Sequence, residues 1–455
     1  MNQQLRSLRE DIKRITLQIF DLVSKRLAIA KAIGEIKREK GLDIEDKFVE
    51  AQLRSLILKK CNKLGINQRF ASHLLSLLIK ESVRIQMEES ISLPDILAKA
   101  NYLESQGKSV IHLELDELNF LPSQFVIDAF HNTLKSPYPN YTEASGLYEL
   151  REAIAKYINE KFKVDLSSKN VIITLGRKYT TFITTYLHIT PGNEIIIFQP
   201  SYLSYQPWFE LMGGRVIKIQ TYLKDDWSPN LTHINEIIND STCMIILNNP
   251  NNPTGKIIDS HTLRAIVDLA HDYNLQILSD EFYSTYAFTE FKSLLQFENC
   301  KSIVIGSFPI NLIGIELCYA ISDPQTIEKM IKLQSALLMG MPKFIQYVAL
   351  KSIECKSDIV KNFEIMLKRR EVATKALAKL PFDFKKPDGG IFIFAKANID
   401  NFNSEKFSND LLEKKGVAIM PGTIFGNYPN YIRLSLCQSE ELILEGIKRI
   451  GELIL

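Results

Sequence analysis

The hydrophobic pattern changes period once along the chain. Up to about residue 90, apolar positions recur at helical steps. Leu8, Ile12, Ile15, Ile19, Leu22, Ile29 and Ile33 lie three, four or seven residues apart, the spacing of one face of an α-helix. No proline interrupts the region before "MEESISLP". The spacing predicts a long first helix and a break at "EKGLDIED", with Gly41 as C-cap. A second helix is expected over about Lys47 to Lys63 and a third over about Asn67 to Met87. Beyond that point short apolar runs take over: "NVIITL", "EIIIF", "RVIKI", "CMIIL", "LQILS" and "SIVIG". Such runs, bounded by turn residues, mark buried strands. Helical patterns such as "LYELREAIAKYINEKF" and "SHTLRAIVDLAHDYN" separate them, which predicts a mostly parallel sheet covered on both faces. From about Asp358 a helix, "GGIFIFAK", a turn at "PGTIFGNYP", "YIRLSL" and a last helix predict a smaller α+β subdomain. The expected fold class is therefore multi-domain: an all-α three-helix domain over 1–90, then an α/β domain over 91–455. The large part of the second domain is expected at about 130–330 and its small subdomain at about 355–455.

Length and composition agree and exclude some classes. A chain of 455 residues exceeds one ordinary core. With 45% hydrophobic and 24% charged residues it reads as an ordinary globular protein. A net charge of +2 gives no reason to expect nucleic acid or a membrane as partner. The polar start "MNQQLRSLREDIKRI" is not a secretory signal, and no apolar run is long enough to span a bilayer. Cys61, Cys243, Cys300, Cys318, Cys355 and Cys437 are scattered without a CxxC pair. That pattern suits reduced thiols in a cytoplasmic protein and gives no metal site.

Polar residues interrupt the helical stripe in a regular way. Four residues beyond Leu22 stands Arg26, and four beyond Ile33 stands Lys37. In the third helix Leu74 and Leu78 are followed at the same step by Ser82 and Gln86. A buried charge is costly unless paired. From the residues alone, snorkelling cations at a bundle seam and a binding site for an anion both remain open.

The segments "LREDI", "KRLAIAKAIGEIK", "GLDIED" and "ESVRIQ" appear in this order over residues 1–90. Together they resemble the all-helical chorismate mutases. The resemblance implies that Arg26 binds one substrate carboxylate and that Arg9 reaches into the partner's site of a swapped dimer. Lys37 and Gln86 would hydrogen-bond the ether oxygen. Glu50 would meet the ring hydroxyl, with Ser82 and Asp46 lining the pocket. Val49 stands where some members carry a further arginine. The implied substrate is chorismate, rearranged to prephenate without a cofactor. The chemistry accounts for these residue types. A pericyclic step needs no nucleophile and no general acid or base. It needs a dicarboxylate held in a compact conformer and donors for the negative charge that grows on the ether oxygen.

From about residue 93 the chain resembles the fold-type I aminotransferases of the aspartate aminotransferase class. The likeness rests on "YPNYTEASGLYELREAIAKYI", "PGNEIIIFQPSYLSY", "NNPNNPTG", "LSDEFY" and "GVAIMPGTIFG…YIRLSL". It implies a pyridoxal phosphate (PLP) pocket. Asn252 and Tyr283 would bond the ring oxygen, Asp280 would pair with the ring nitrogen and Tyr202 would stack on the ring. Tyr141 would reach the neighbouring subunit's phosphate, and Arg433 would bind a substrate carboxylate. Other parts of the pattern are absent. The Schiff-base lysine falls at Phe308 or Ile310, depending on the anchor, and the phosphate-holding arginine falls at Glu316. The phosphate-cradling turn reads "LGRKYTT", with Arg177 and Lys178 where small residues are usual, and Asp116 in "LELDELNF" replaces a glycine. PLP binding is therefore doubtful. Arg177, Lys178 and Arg433 are candidate cations for an anionic metabolite such as prephenate. Alternatively, an Arg177–Glu316 ion pair fills the space.

The expectation is a homodimeric chorismate mutase. Its aminotransferase-like domain is non-transaminating, and either ligand-binding or structural. The alternatives are an isochorismate-pyruvate lyase on the same helical fold, a PLP enzyme with altered chemistry, and a non-catalytic regulatory or scaffold protein.

Overall fold

The computed structural model describes residues 2–39, 47–86, 93–135, 141–202, 205–308 and 316–454. The chain divides into two compact units, Met1–Ser90 and Ile91–Leu455. Among the described residues no helix is long and apolar enough to cross a membrane, and no group of His, Cys, Asp and Glu could hold a metal ion.

The first unit contains three helices, Asn2–Glu39, Lys47–Leu64 and Gln68–Gln86. The first is as long as the period predicts, but its contact face differs. Leu8, Ile12, Ile15, Ile19, Leu22, Ile29 and Ile33 are all exposed, Leu22 by 65%. The face turned to the third helix instead carries Arg26, Ala30, Gly34 and Lys37, at steps of four, four and three. This is a seam of small and polar residues, so apolar periodicity could not mark it. Gly34 sets how close the helices come: a Cβ there would lie 2.8 Å from Gln86 Cα.

In the second unit seven strands form one sheet. Their order is Val171–Thr174, Cys318–Ile321, Ser302–Gly306, Gln276–Asp280, Thr242–Asn248, Glu194–Gln199, Arg215–Gln220. Neighbours are parallel except around Cys318–Ile321, which runs antiparallel to both of its partners. Successive residues enter two different cores, because strand side chains alternate between faces. Val171, Ile173, Ile245, Leu247 and Ile277 pack on one side, and Ile172, Met244, Ile246 and Leu278 on the other. Burial on both faces is why these strands read as unbroken apolar runs.

A four-stranded antiparallel sheet forms the small subdomain, in the order Met420–Pro421, Tyr431–Ser435, Phe392–Ala397, Phe382–Asp383. Residues far earlier in the chain join it. Ile111–His112 pairs in parallel with Val417–Ala418. Ile96, Ala100 and Leu103, on the helix Leu93–Ser105, pack with Phe394, Leu412 and Ala418. The small subdomain thus draws on chain well before the tail from about 355 that the sequence suggests.

Candidate functional site

In the helical unit the seam between first and third helices holds most of the expected residues. The Arg26 guanidinium is half-buried and donates to the Leu78 carbonyl and the Ser82 hydroxyl. Ser82 and Gln86 are buried on the third helix, and Lys37 is half-buried on the Arg26 face of the first. Partial burial lowers the Arg26 pKa, though a guanidinium remains charged. The partners of Arg26 among the described residues are neutral oxygens, so its positive charge is oriented without being compensated. Glu50 is half-buried in the first turn of the second helix, and its neighbour Val49 is exposed. Arg9 is exposed on the first helix. Asp46 lies outside the described residues.

In the second unit the polar residues gather at the carboxyl end of the large sheet, where open α/β sheets hold their ligands. The strand Gln276–Asp280 delivers Asp280, fully buried, at its last position. The helix Gly176–His188 starts just after the strand Val171–Thr174, and Gly176 makes the turn with φ +74°. That turn places Arg177, the helix's second residue, in the interior at 7% exposure. Arg177 Nη1 lies 3.4 Å from Asp280 Oδ2 and Nη2 lies 3.9 Å from Asp116 Oδ2. Its guanidinium carbon sits 3.7 Å from the centroid of the Tyr202 ring and 4.7 Å from that of Phe282. The Tyr205 hydroxyl donates to Asp280, as does the Phe282 amide at 3.1 Å. The Tyr283 hydroxyl donates to Asp116 at 3.3 Å. Burial, then the fields of Asp280 and Asp116 respectively, push the Tyr205 and Tyr283 phenols well above their ordinary range. Both are therefore donors at neutral pH.

Arg433 comes from the small sheet, in register with Phe394, and is buried. It donates to Asn252 Oδ1 at 3.1 Å and to the Glu114 carbonyl, with its guanidinium 4.0 Å from the Phe392 ring centroid. Burial draws its pKa down, and Asp116 and Tyr283 oppose that. Among the described residues Arg433 Nε and Asn252 Nδ2 are buried without a hydrogen-bond partner.

The structure thus brings Tyr202, Asp280, Tyr283, Asn252, Arg177 and Arg433 to one end of the sheet. Lys178 is exposed, as is Tyr141, which bridges to Pro342. Arg177 does not pair with Glu316: its carboxylate partners are Asp280 and Asp116. Glu316 is exposed at φ +50°, and its Oε2 lies 3.5 Å from where a Gly176 Cβ would stand, beside the N-terminus of the Arg177 helix. Phe308 is 7% exposed and packs edge-on to Tyr319 at 5.6 Å between centroids. Ile310 lies outside the described residues. Sequence reasoning missed Tyr205 as a partner of Asp280; its signal is a second tyrosine three residues after Tyr202 in "PSYLSY".

Comparison with known proteins accounts for both units. The family model described as aminotransferase class I and II matches residues 108–450, and that described as chorismate mutase type II matches residues 8–87. An aspartate aminotransferase of Thermotoga maritima is 33% identical over 361 residues, covering 78% of this chain and 94% of that protein. A protein of Aquifex aeolicus named as a probable aspartate/prephenate aminotransferase is 27% identical over 369 residues, covering 78% and 93%. The crystal structure of a Thermotoga maritima aspartate aminotransferase superposes with a TM-score of 0.76 at 32% identity, over 80% of this chain and 97% of that one.

Proposed function

The chain belongs to the class I and II aminotransferases and carries a type II chorismate mutase domain ahead of that fold. From this premise we propose that it is a chorismate mutase whose aminotransferase domain does not transaminate. The observation that carries the first half is Arg26. It is a half-buried cation fixed by two neutral oxygens of the third helix, with its charge left for a substrate carboxylate. Lys37 follows on the same face and Gln86 stands opposite Gly34, which supports their donating to the ether oxygen as its bond breaks. Preorganised donors of this kind stabilise developing charge without reorganisation. Holding the dicarboxylate in its compact form supplies the remainder. Ser82 positions Arg26, and Glu50 is the candidate partner of the ring hydroxyl. The exposed stripe from Leu8 to Ile33 supports a homodimer in which a second copy covers it and Arg9 completes the partner's site.

For the second domain, the residues present do not fit pyridoxal phosphate. The Tyr202 face and the Asp280 carboxylate are both engaged by Arg177. The Glu316 carboxylate stands by the helix N-terminus where a phosphate dianion would bind. No amine stands at Phe308 or Ile310. What remains is Arg433 with Asn252, whose buried unpaired donors support a carboxylate ligand. Prephenate, the product of the first domain, is one such acid.

The test is chorismate consumption by the full-length protein, with the product identified by NMR and Lys37→Ala as control. Prephenate is expected, with the rate about a hundredfold or more lower in the control. Pyruvate and salicylate from isochorismate, without prephenate, would reassign the domain as a lyase. No turnover of either substrate would sink the catalytic reading.

A further inference from the structure

Asp280 sets the problem. Its carboxylate is fully buried, and a buried carboxylate needs a cation or a set of donors to stay ionised. Beside it the Tyr202 ring offers an aromatic face. Tyr205 and the Phe282 amide already donate to the carboxylate; the demand for a further group that serves both the carboxylate and the ring is best met by something flat, cationic and able to donate in its own plane. A protonated nitrogen heterocycle meets those demands, and so does a guanidinium, which stacks on aromatic faces and donates from its edge.

We propose that Arg177 is a resident stand-in for such a ring, so that the ligand of this half of the site is part of the chain. Its guanidinium carbon lies over the Tyr202 ring, 3.7 Å from the centroid, and over the Phe282 ring at 4.7 Å. Its edge reaches Asp280 at 3.4 Å. Asp116 closes the other side of the guanidinium at 3.9 Å, held by Tyr283. Asp280 and Asp116 already face Arg177, and the Glu316 carboxylate stands at the N-terminus of its helix, so a phosphate dianion there would add to existing negative charge. The inference rests on the reading that this domain holds no pyridoxal phosphate; it is independent of the mutase reading. It implies that Arg177→Ala converts the site into one for small planar cations.

The experiment follows the melting temperature of the full-length protein. The variants are wild type, Arg177→Ala, Arg177→Lys and the double variant Arg177→Gln/Asp280→Asn. The probes are millimolar guanidinium chloride, sodium chloride at equal ionic strength, and pyridoxamine phosphate. Arg177→Ala is expected to lose about 5 °C or more in Tm, to recover much of it in guanidinium, and to gain nothing comparable from sodium chloride. Arg177→Lys, which keeps charge without the plane, is expected to stay destabilised and unrescued. An Arg177→Ala protein that melts with wild type, or that both salts restore equally, overturns the proposal. If Arg177→Ala does not fold, the double variant decides: removing both charges is expected to restore folding, and failure to do so overturns the idea. Pyridoxamine phosphate is expected to leave the wild-type Tm unchanged. A rise would sink both this inference and the cofactor-free reading, whereas a failed guanidinium rescue with no such rise sinks only the role of Arg177.

Discussion

Gly34→Ala tests the helical site through its geometry. In an isolated helix this change is favourable by about 1 kcal/mol, because alanine is the better helix former. Here the new Cβ would stand 2.8 Å from Gln86 Cα and 3.0 Å from its Cβ and Cγ. The first of these is backbone, so it cannot rotate away. Reaching ordinary contact at about 3.4 Å means parting the helices by about 0.6 Å at that level, the difference between the two distances. Overpacking of this kind costs about 1–3 kcal/mol, so the helix-propensity gain offsets part of it and the net loss is at most about 2 kcal/mol. Catalysis is more sensitive. Arg26 is tied to the third helix at Leu78 and Ser82, whereas Lys37 and Gln86 flank the forced gap. Under the proposed function, spreading one end of the site and not the other misplaces the proposed ether-oxygen donors relative to the proposed carboxylate anchor. A shift of that order costs about tenfold to a hundredfold in rate. The assay is kcat/KM for chorismate beside a thermal melt. A folded protein of near wild-type helicity with a rate tenfold down or more is expected. Wild-type kcat/KM with an intact fold would refute the argument that this seam is the active site.

Arg26→Lys keeps the charge but loses the planar guanidinium, whose Nη1 alone bonds both Leu78 and Ser82 and whose remaining N–H groups are the proposed two-pronged contact to a carboxylate; KM for chorismate should rise about tenfold or more, and an unchanged KM would remove Arg26 from the carboxylate role. Glu281 gives a prediction on pH. Burial pushes it from 4.5 up to about 7, against the Leu294 amide, the Ser293 and Ser279 hydroxyls and the field of Lys161. The folded protein therefore holds this proton more tightly than the unfolded chain. Its contribution to stability is complete below pH 4.5 and is lost as pH rises toward 7. Glu281→Gln should flatten the fall of Tm across that window and melt above wild type at pH 8; an unchanged slope would contradict the assignment.

The elements legible in the sequence were those whose burial leaves a one-dimensional trace. Strands buried on both faces, such as Thr242–Asn248, contain little but apolar residues and announce themselves. Cys318–Ile321 did not: it is four residues long and follows a segment with no clear period. It is also the strand that makes the sheet mixed rather than parallel. The first helix was legible in length but not in orientation. A stripe shows that something must cover it, not which element does, and the seam built on Ala30 and Gly34 carries no hydrophobic signal. The partner of Arg177 was illegible for a related reason. Asp280 lies 103 residues away, and only the sheet brings the two together.

Both units contain an arginine drawn out of solvent, Arg26 in part and Arg177 fully, and what distinguishes the two is compensation. Arg26 bonds two neutral oxygens among the described residues, so its orientation is fixed while its charge is unmet. Arg177 faces two carboxylates and an aromatic plane, so orientation and charge are both satisfied within the chain. A binding site for an anion needs a cation held in place with charge to spare. By that criterion the helical seam suits the anion the proposed function requires, and the Arg177 half of the second site is already occupied within the chain. Arg433, hydrogen-bonded to Asn252 and the Glu114 carbonyl but with Nε unpaired among the described residues, is intermediate by this criterion. That intermediate state is what a domain would retain if it had lost its cofactor chemistry and kept a place for the acid.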